Sequence, residues 1–175
     1  MNRPPKLALL FVGAAVVGHV GLVLAVPHGI MGAAIKRASK GGAVINEFQF
    51  GPRTTKDSRW VVRPSPDLAY STCVYDLAGG PLLVTSAPNA DHGYSSLSVF
   101  AANTDNIAVF DSSQNPAGIR FVLAHKGQKV PGGEKVVYSP SDRGIVLDRR
   151  LAPSVQLFAL ADQARRSDSC ARVGI

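Results

Sequence analysis

The chain has 175 residues, 46% of them hydrophobic and 18% charged, with 19 Lys and Arg against 12 Asp and Glu for a formal charge of +7. Once a membrane segment and a connector are set aside, that length leaves room for one small domain with a modest core. The excess cations are scattered, with pairs at Lys36-Arg37, Arg149-Arg150 and Arg165-Arg166. No basic run interleaved with aromatics and no nucleic-acid-binding motif accompanies them, so nucleic acid is not an expected partner; anionic lipid headgroups suit such a balance better.

From Leu7 to Val26 about 20 residues carry no charge, the length a helix needs to cross the hydrocarbon core of a bilayer. With Arg3 and Lys6 just before it, the segment reads as an uncleaved signal anchor; a signal peptide cleaved near Ala25 is the alternative. Pro27 is expected to end the spanning helix, and Gly29 to Ala38 to lie at the interface with Lys36 and Arg37 among headgroups. Lys36, Arg37 and Lys40 outnumber Arg3 and Lys6, against the positive-inside rule. The anchor-like start and the two cysteines nevertheless favour a domain outside the cytoplasm, single-pass in a bacterial inner membrane and facing the periplasm. Ala14, Gly18, Gly21 and Ala25 fall at spacings of four, three and four, a seam that would let a second copy approach as a homodimer. Small residues are common in spanning helices in general, which is the competing reading.

The expected division is therefore an anchor and interfacial segment over 1–40, a connector over 41–58, and a β-rich domain with a C-terminal helix over 59–175. Within the connector, Val44 to Phe50 could add a short edge strand, and Arg59 to Arg63 reads as the first strand of the domain. Ala69 to Tyr75 is rich in β-branched, aromatic and small residues. Its side chains alternate, with Tyr70, Thr72 and Val74 opposite Ser71, Cys73 and Tyr75. Ala78-Gly79-Gly80-Pro81 breaks that run and feeds a strand from Leu82 to Ser86; a second break at Pro88 to Gly93 precedes an alternating strand through Ala101. These three strands are expected to form an antiparallel meander. Ile107 to Phe110, Ile119 to His125, Val136 to Tyr138 and Ile145 to Leu147 continue as short strands between Gly, Pro, Asn and Asp turns. The predicted fold class is mainly β, an antiparallel sandwich or a partly open barrel. A helix over Ala152 to Arg166 closes it, with Leu151, Val155, Phe158 and Asp162 on one face and Arg165 and Arg166 suited to the C-terminal dipole.

Cys73 and Cys170 allow only one intramolecular disulfide, which would fasten the C-terminal tail to the sheet in an oxidising compartment; a buried Cys73 with a free Cys170 is the alternative. Two cysteines so far apart do not make a zinc site, and Asp91, His92, Asp105 and His125 lack metal-ligand spacing. No metal or cofactor is expected. Gly93-Tyr94-Ser95-Ser96-Leu97 lacks the second glycine of a nucleophile elbow, and no catalytic residue is assigned.

The stretch from Pro64 to Asn106 resembles a bacterial family of uncharacterised proteins, domain of unknown function 1254. Its pattern is matched by Asp67, Tyr70 and Ser71, by Asp76-Leu77, by Gly80-Pro81, by Tyr94, and by Asn103-Thr104-Asp105-Asn106. Ser65, Leu68 and His92-Gly93 depart from it where the family has Asn, Thr and an Arg before the tyrosine. Longer members carry a second domain. The resemblance places a ligand site, if the domain has one, between Asp67, Tyr70, Tyr94 and Asn103. Three functions follow as expectations: an accessory or binding module meeting an envelope protein or small ligand; an envelope-associated enzyme or subunit with its site near Asp67, Tyr70 and Tyr94; or a structural membrane protein that self-associates.

Overall fold

The computed structural model describes residues 4–59, 64–89 and 93–173. Helix α1 (Pro4–Ala38) and a 3-10 turn (Lys40–Gly42) precede strands β1 (Phe48–Phe50), β2 (Leu68–Asp76), β3 (Leu82–Ser86), β4 (Ser95–Ala101) and β5 (Asn106–Asp111). Strands β6 (Ile119–His125), β7 (Val136–Ser139) and β8 (Arg143–Leu151), helix α2 (Val155–Arg165) and strand β9 (Ser169–Arg172) complete the order. The strands form a five-stranded sheet, β1-β2-β8-β4-β5, and a four-stranded sheet, β7-β6-β3-β9. All pairs are antiparallel except β6 with β7. Neither sheet closes on itself, so the fold is the sandwich of the two expected architectures.

Alternation along the strands builds the core. Cys73, Tyr75, Leu97, Val99 and Val146 of the first sheet meet Leu82, Val84, Phe121, Leu123 and Cys170 of the second, and all are buried. Each large apolar side chain buried in this way stabilises the fold by about 1.5–3 kcal/mol as an upper estimate. Phe110 stacks on Phe121 with ring centroids 4.6 Å apart, closing the β5 and β6 side. The disulfide is formed: Cys73 of β2 and Cys170 of β9 join the two sheets across a Cα separation of 6.5 Å.

Several expectations are corrected. The strands of residues 64–106 are not a meander, because β3 leaves the sheet of β2 and β4 and pairs instead with β6 and β9. Local alternation sets a strand and its faces, whereas its partner depends on contacts remote in sequence. Helix α1 runs through Pro27 to Ala38; the proline removes one backbone donor without ending the helix. The strand expected at Ile145 to Leu147 extends from Arg143 to Leu151 and occupies the middle of its sheet, bonded to β2 and β4. The closing helix starts later than Ala152: Ser154 is its cap, and its side chain accepts the Leu157 N–H at 3.1 Å. Its packed side is Phe158, Ala161 and Arg165, whereas Val155 and Leu151 are exposed. Strand β9 was not anticipated. The strand expected at Arg59 to Arg63 lies, but for Arg59, outside the described residues.

The stretch read as a connector contributes β1 and a backbone mimic. Asn46, at φ 59°, donates its own N–H to Val74 O, accepts the Asp76 N–H at 2.7 Å and donates to Asp76 O, which extends the sheet by one position. Upstream, Gly41 and Gly42 take φ values of 77° and 99°, which only glycine adopts without strain, and they turn the chain from helix to sheet.

Candidate functional site

The continuous registers of β2, β8 and β4 define two faces of the first sheet at its Leu68 end. Inward stand Ala69 and Ser71, Asp148 and Arg150, and Ser95 and Leu97; outward stand Tyr70, Arg149 and Ser96 in one row, with Leu68, Leu151 and Tyr94 beside it.

The inward side is ionic and closed. Arg150 is fully buried and donates through Nε to Asp148 Oδ2 at 3.0 Å, through Nη1 to Asn89 Oδ1 at 2.7 Å, and through Nη2 to Ser86 Oγ and both Asp168 oxygens at 2.9 Å. Ser71 Oγ donates to Asp148 Oδ2 at 3.3 Å, and the Ala87 N–H donates to Asp168 Oδ1 at 2.9 Å. One guanidinium thus sits between two carboxylates, a net charge of minus one if both ionise. Burial first, then the Asp148 charge, pushes the Asp168 carboxyl up from 3.8 to about 7, and burial also raises Asp148. Asp148 Oδ1 is buried and has no partner among the described residues. The cluster bolts β8 to the second sheet, and its carboxylates are enclosed rather than presented to a substrate.

The outward side is half-buried at Tyr70 and Arg149 and exposed at its margin. Arg149 is partly exposed and donates to Ser98 Oγ at 3.0 Å, while its buried Nε has no partner among the described residues. Tyr70 faces it from β2 and accepts the Ser65 N–H at its hydroxyl, 2.9 Å away. Tyr94 is 51% exposed, and Leu151, paired with it across the strands, is 44% exposed. Asp67 is exposed, and its carbonyl accepts the Ala152 N–H at 2.7 Å. Nearby, Gly51 donates its N–H to Tyr70 O, and the buried Arg53 Nε and Thr54 Oγ1 beyond it have no partner among the described residues. A guanidinium with Tyr70 opposite it on β2, and Tyr94 two positions from its partner Ser96 on β4, suits a planar or anionic group, held by charge-assisted bonds and ring stacking.

Three of the four residues assigned from the resemblance, Asp67, Tyr70 and Tyr94, therefore share one end of the sheet. Asn103 does not join them. It follows the far end of β4, about 20 Å away at the strand rise, and there it donates to Asp105 Oδ2 at 2.6 Å and accepts the Asp105 N–H within the β4–β5 turn. Sequence reasoning missed Arg149, Arg150, Asp148 and Asp168. The one signal was the charged triplet Asp148-Arg149-Arg150 directly after the strand-like Ile145-Val146-Leu147. Among the described residues no group of three or more His, Cys, Asp and Glu is placed to hold a metal; Asp91 and His92 lie outside them.

Fold and surface together define the class: an open two-sheet β-sandwich, braced by an inter-sheet disulfide and a buried Arg–Asp cluster, behind a long apolar helix. Residues 45–168 match the family described as protein of unknown function (DUF1254), and the chain belongs to that family. The crystal structure of the VPA0106 protein from Vibrio parahaemolyticus is similar to it, with a TM-score of 0.68 at 17% identity, over 86% of this chain and 36% of that one. A putative uncharacterized protein from Burkholderia cenocepacia aligns with a TM-score of 0.45 at 15% identity, over 88% of this chain and 40% of that one. The chain thus spans well under half the length of either structure, and the likeness to the first is one of fold. No protein of curated function matches the chain.

Proposed function

We propose that the chain is a single-pass protein of a bacterial inner membrane whose sandwich faces the periplasm and acts there as an accessory or binding module. The observation that carries this reading is the joining of a 35-residue helix, exposed over its apolar stretch from Leu7 to Val26, to a sandwich bridged by a disulfide. An apolar stretch exposed over that length is matched to lipid, and a bond between Cys73 and Cys170 persists where the surroundings are oxidising. The surface offered to a ligand or to an envelope partner is the outward face around Tyr70, Arg149 and Tyr94, with Asp67 at its margin.

A topology reporter fused after Ile175, read together with thiol alkylation of Cys73 and Cys170 in intact cells, tests the reading. Reporter activity in the periplasm with both thiols protected supports it. Activity in the cytoplasm, or two freely alkylated cysteines, overturns it.

A further inference from the structure

The charge-free part of α1 is longer than the hydrocarbon core requires. From Lys6 to Lys36 the helix covers thirty positions, about 45 Å at its rise. A bilayer including its headgroups is about 40–45 Å thick. A helix whose flanking cations mark the two surfaces therefore brings Lys36 to the level of the phosphates. At that level the helix stops being independent of the sandwich: Met31 and Ser39 are buried, and the last turns rest on β2 and β8.

Between the end of the helix and the sandwich lies a cavity of about 500 Å³, lined among others by His28, Ile35, Lys36, Ser39, Gly42 and Arg143. Its charge is unbalanced. Lys36 has no acidic partner among the described residues. Arg143 gives its Nε to Asp76 at 2.8 Å, yet its side chain remains 62% exposed. Arg37 and Lys40 add further cations on the same turns, and the half-charge of the helix C-terminus offsets only part of the total. Ile35 and Gly32 supply an apolar flank on the helix side.

We propose that this cavity seats the phosphate-bearing headgroup of one anionic phospholipid, held by Lys36 and Arg143, with the acyl chains running back along α1. The inference rests on the membrane-anchored reading above. A bound lipid would set the tilt of the sandwich against the bilayer, because the cavity is walled by the end of α1 and by the sandwich.

The test uses the full chain reconstituted into vesicles of phosphatidylcholine alone or with one third phosphatidylglycerol, followed by native mass spectrometry of lipids retained on the extracted protein. Phosphatidylglycerol is expected to be retained in preference to phosphatidylcholine. Lys36→Gln and Arg143→Gln should each reduce retention about fivefold, the effect of one cation at an anionic surface. Arg37→Gln, on the same turn but outside the cavity, should leave the preference for phosphatidylglycerol close to that of wild type, because Arg37 does not line the seat of the headgroup. Lys36→Gln alters an exposed side chain and keeps the test valid should Arg143→Gln disturb its pair with Asp76. Equal retention of the two lipids overturns the proposal, as does an equal loss in Lys36→Gln and Arg37→Gln. Binding of free glycerol phosphate to the detergent-solubilised chain as tight as that of the lipid overturns it too, by making the ligand a soluble phosphate. A chain that fails to float with vesicles of either composition overturns the anchor reading, and this inference with it.

Discussion

Arg149 and Arg150 are neighbours in sequence and stand on opposite faces of one sheet. Arg150 is fully buried between the sheets with Asp148 and Asp168, whereas Arg149 lies on the outer face beside Tyr70 and gives one hydrogen bond to Ser98. The two-residue period of the strand buries one arginine between the sheets as a structural bolt and leaves the other on the outer face.

Arg150→Met strands two buried carboxylates without their cation. Losing one partner of a buried ionic set costs about 3–5 kcal/mol. Arg149→Met takes from the buried Ser98 hydroxyl its bond to the guanidinium, and a smaller loss of about 1–3 kcal/mol is expected. Urea unfolding midpoints of the two variants measure the contrast; equal losses would contradict the division of roles.

The Asp168 carboxyl gives the fold a pH dependence of definite sign. Its pKa is raised from 3.8 to about 7, chiefly by burial and next by the Asp148 charge. Across that window the folded chain holds a proton that the unfolded chain has released, so this contribution is full below about pH 4 and lost as pH rises through 7. Asp76 works the other way: a bond from the Ala78 N–H holds its carboxyl below the usual range, and its contribution is lost as pH falls. The difference in melting temperature between wild type and Asp168→Asn isolates the first effect. Wild type should lose ground to the variant between pH 5 and pH 8.

Cys73 and Cys170 close a loop with a sequence separation of 97. On the chain-entropy model such a closure stabilises by about 4–5 kcal/mol. Cys73→Ala with Cys170→Ala should therefore lower the chemical denaturation midpoint markedly, and reductant should lower wild type while leaving the double variant unchanged. Strand β9 is held by this bond, by its pairing with β3 and, through the preceding Asp168, by Arg150, so protection of 169–172 against hydrogen exchange should fall first.

Gly144 is required by space rather than by backbone angle. A Cβ there would overlap the Phe100 carbonyl and the Tyr75 ring and hydroxyl. Tyr75 cannot move aside, since it is fully buried and its hydroxyl is held 3.0 Å from both Phe100 O and Ser139 Oγ. Gly144→Ala should cost about 1–3 kcal/mol, the usual penalty for overpacking a filled core. Pairing it with Tyr75→Phe should recover little, because the Phe100 carbonyl remains in the way; thermal melts of the single and double variants decide the point.

The sequence by itself determined the apolar helix, the existence of most strands and which of their residues alternate, since these follow from composition and a period of two or 3.6 read over a few residues. It narrowed the disulfide to one pairing, and turn chemistry marked the breaks, as at Asp76, whose side chain accepts the Ala78 N–H at 2.9 Å. Only the tertiary structure decided that β3 crosses to the second sheet, that Arg143 to Leu151 is a central strand, and that Asn103 lies at the opposite end from Tyr70 and Tyr94. Asp-Arg-Arg reads as surface because a buried charge is costly alone, and the groups that compensate Arg150 come from residues 86, 89 and 168. Those partners are remote along the chain and become neighbours only when the two sheets close.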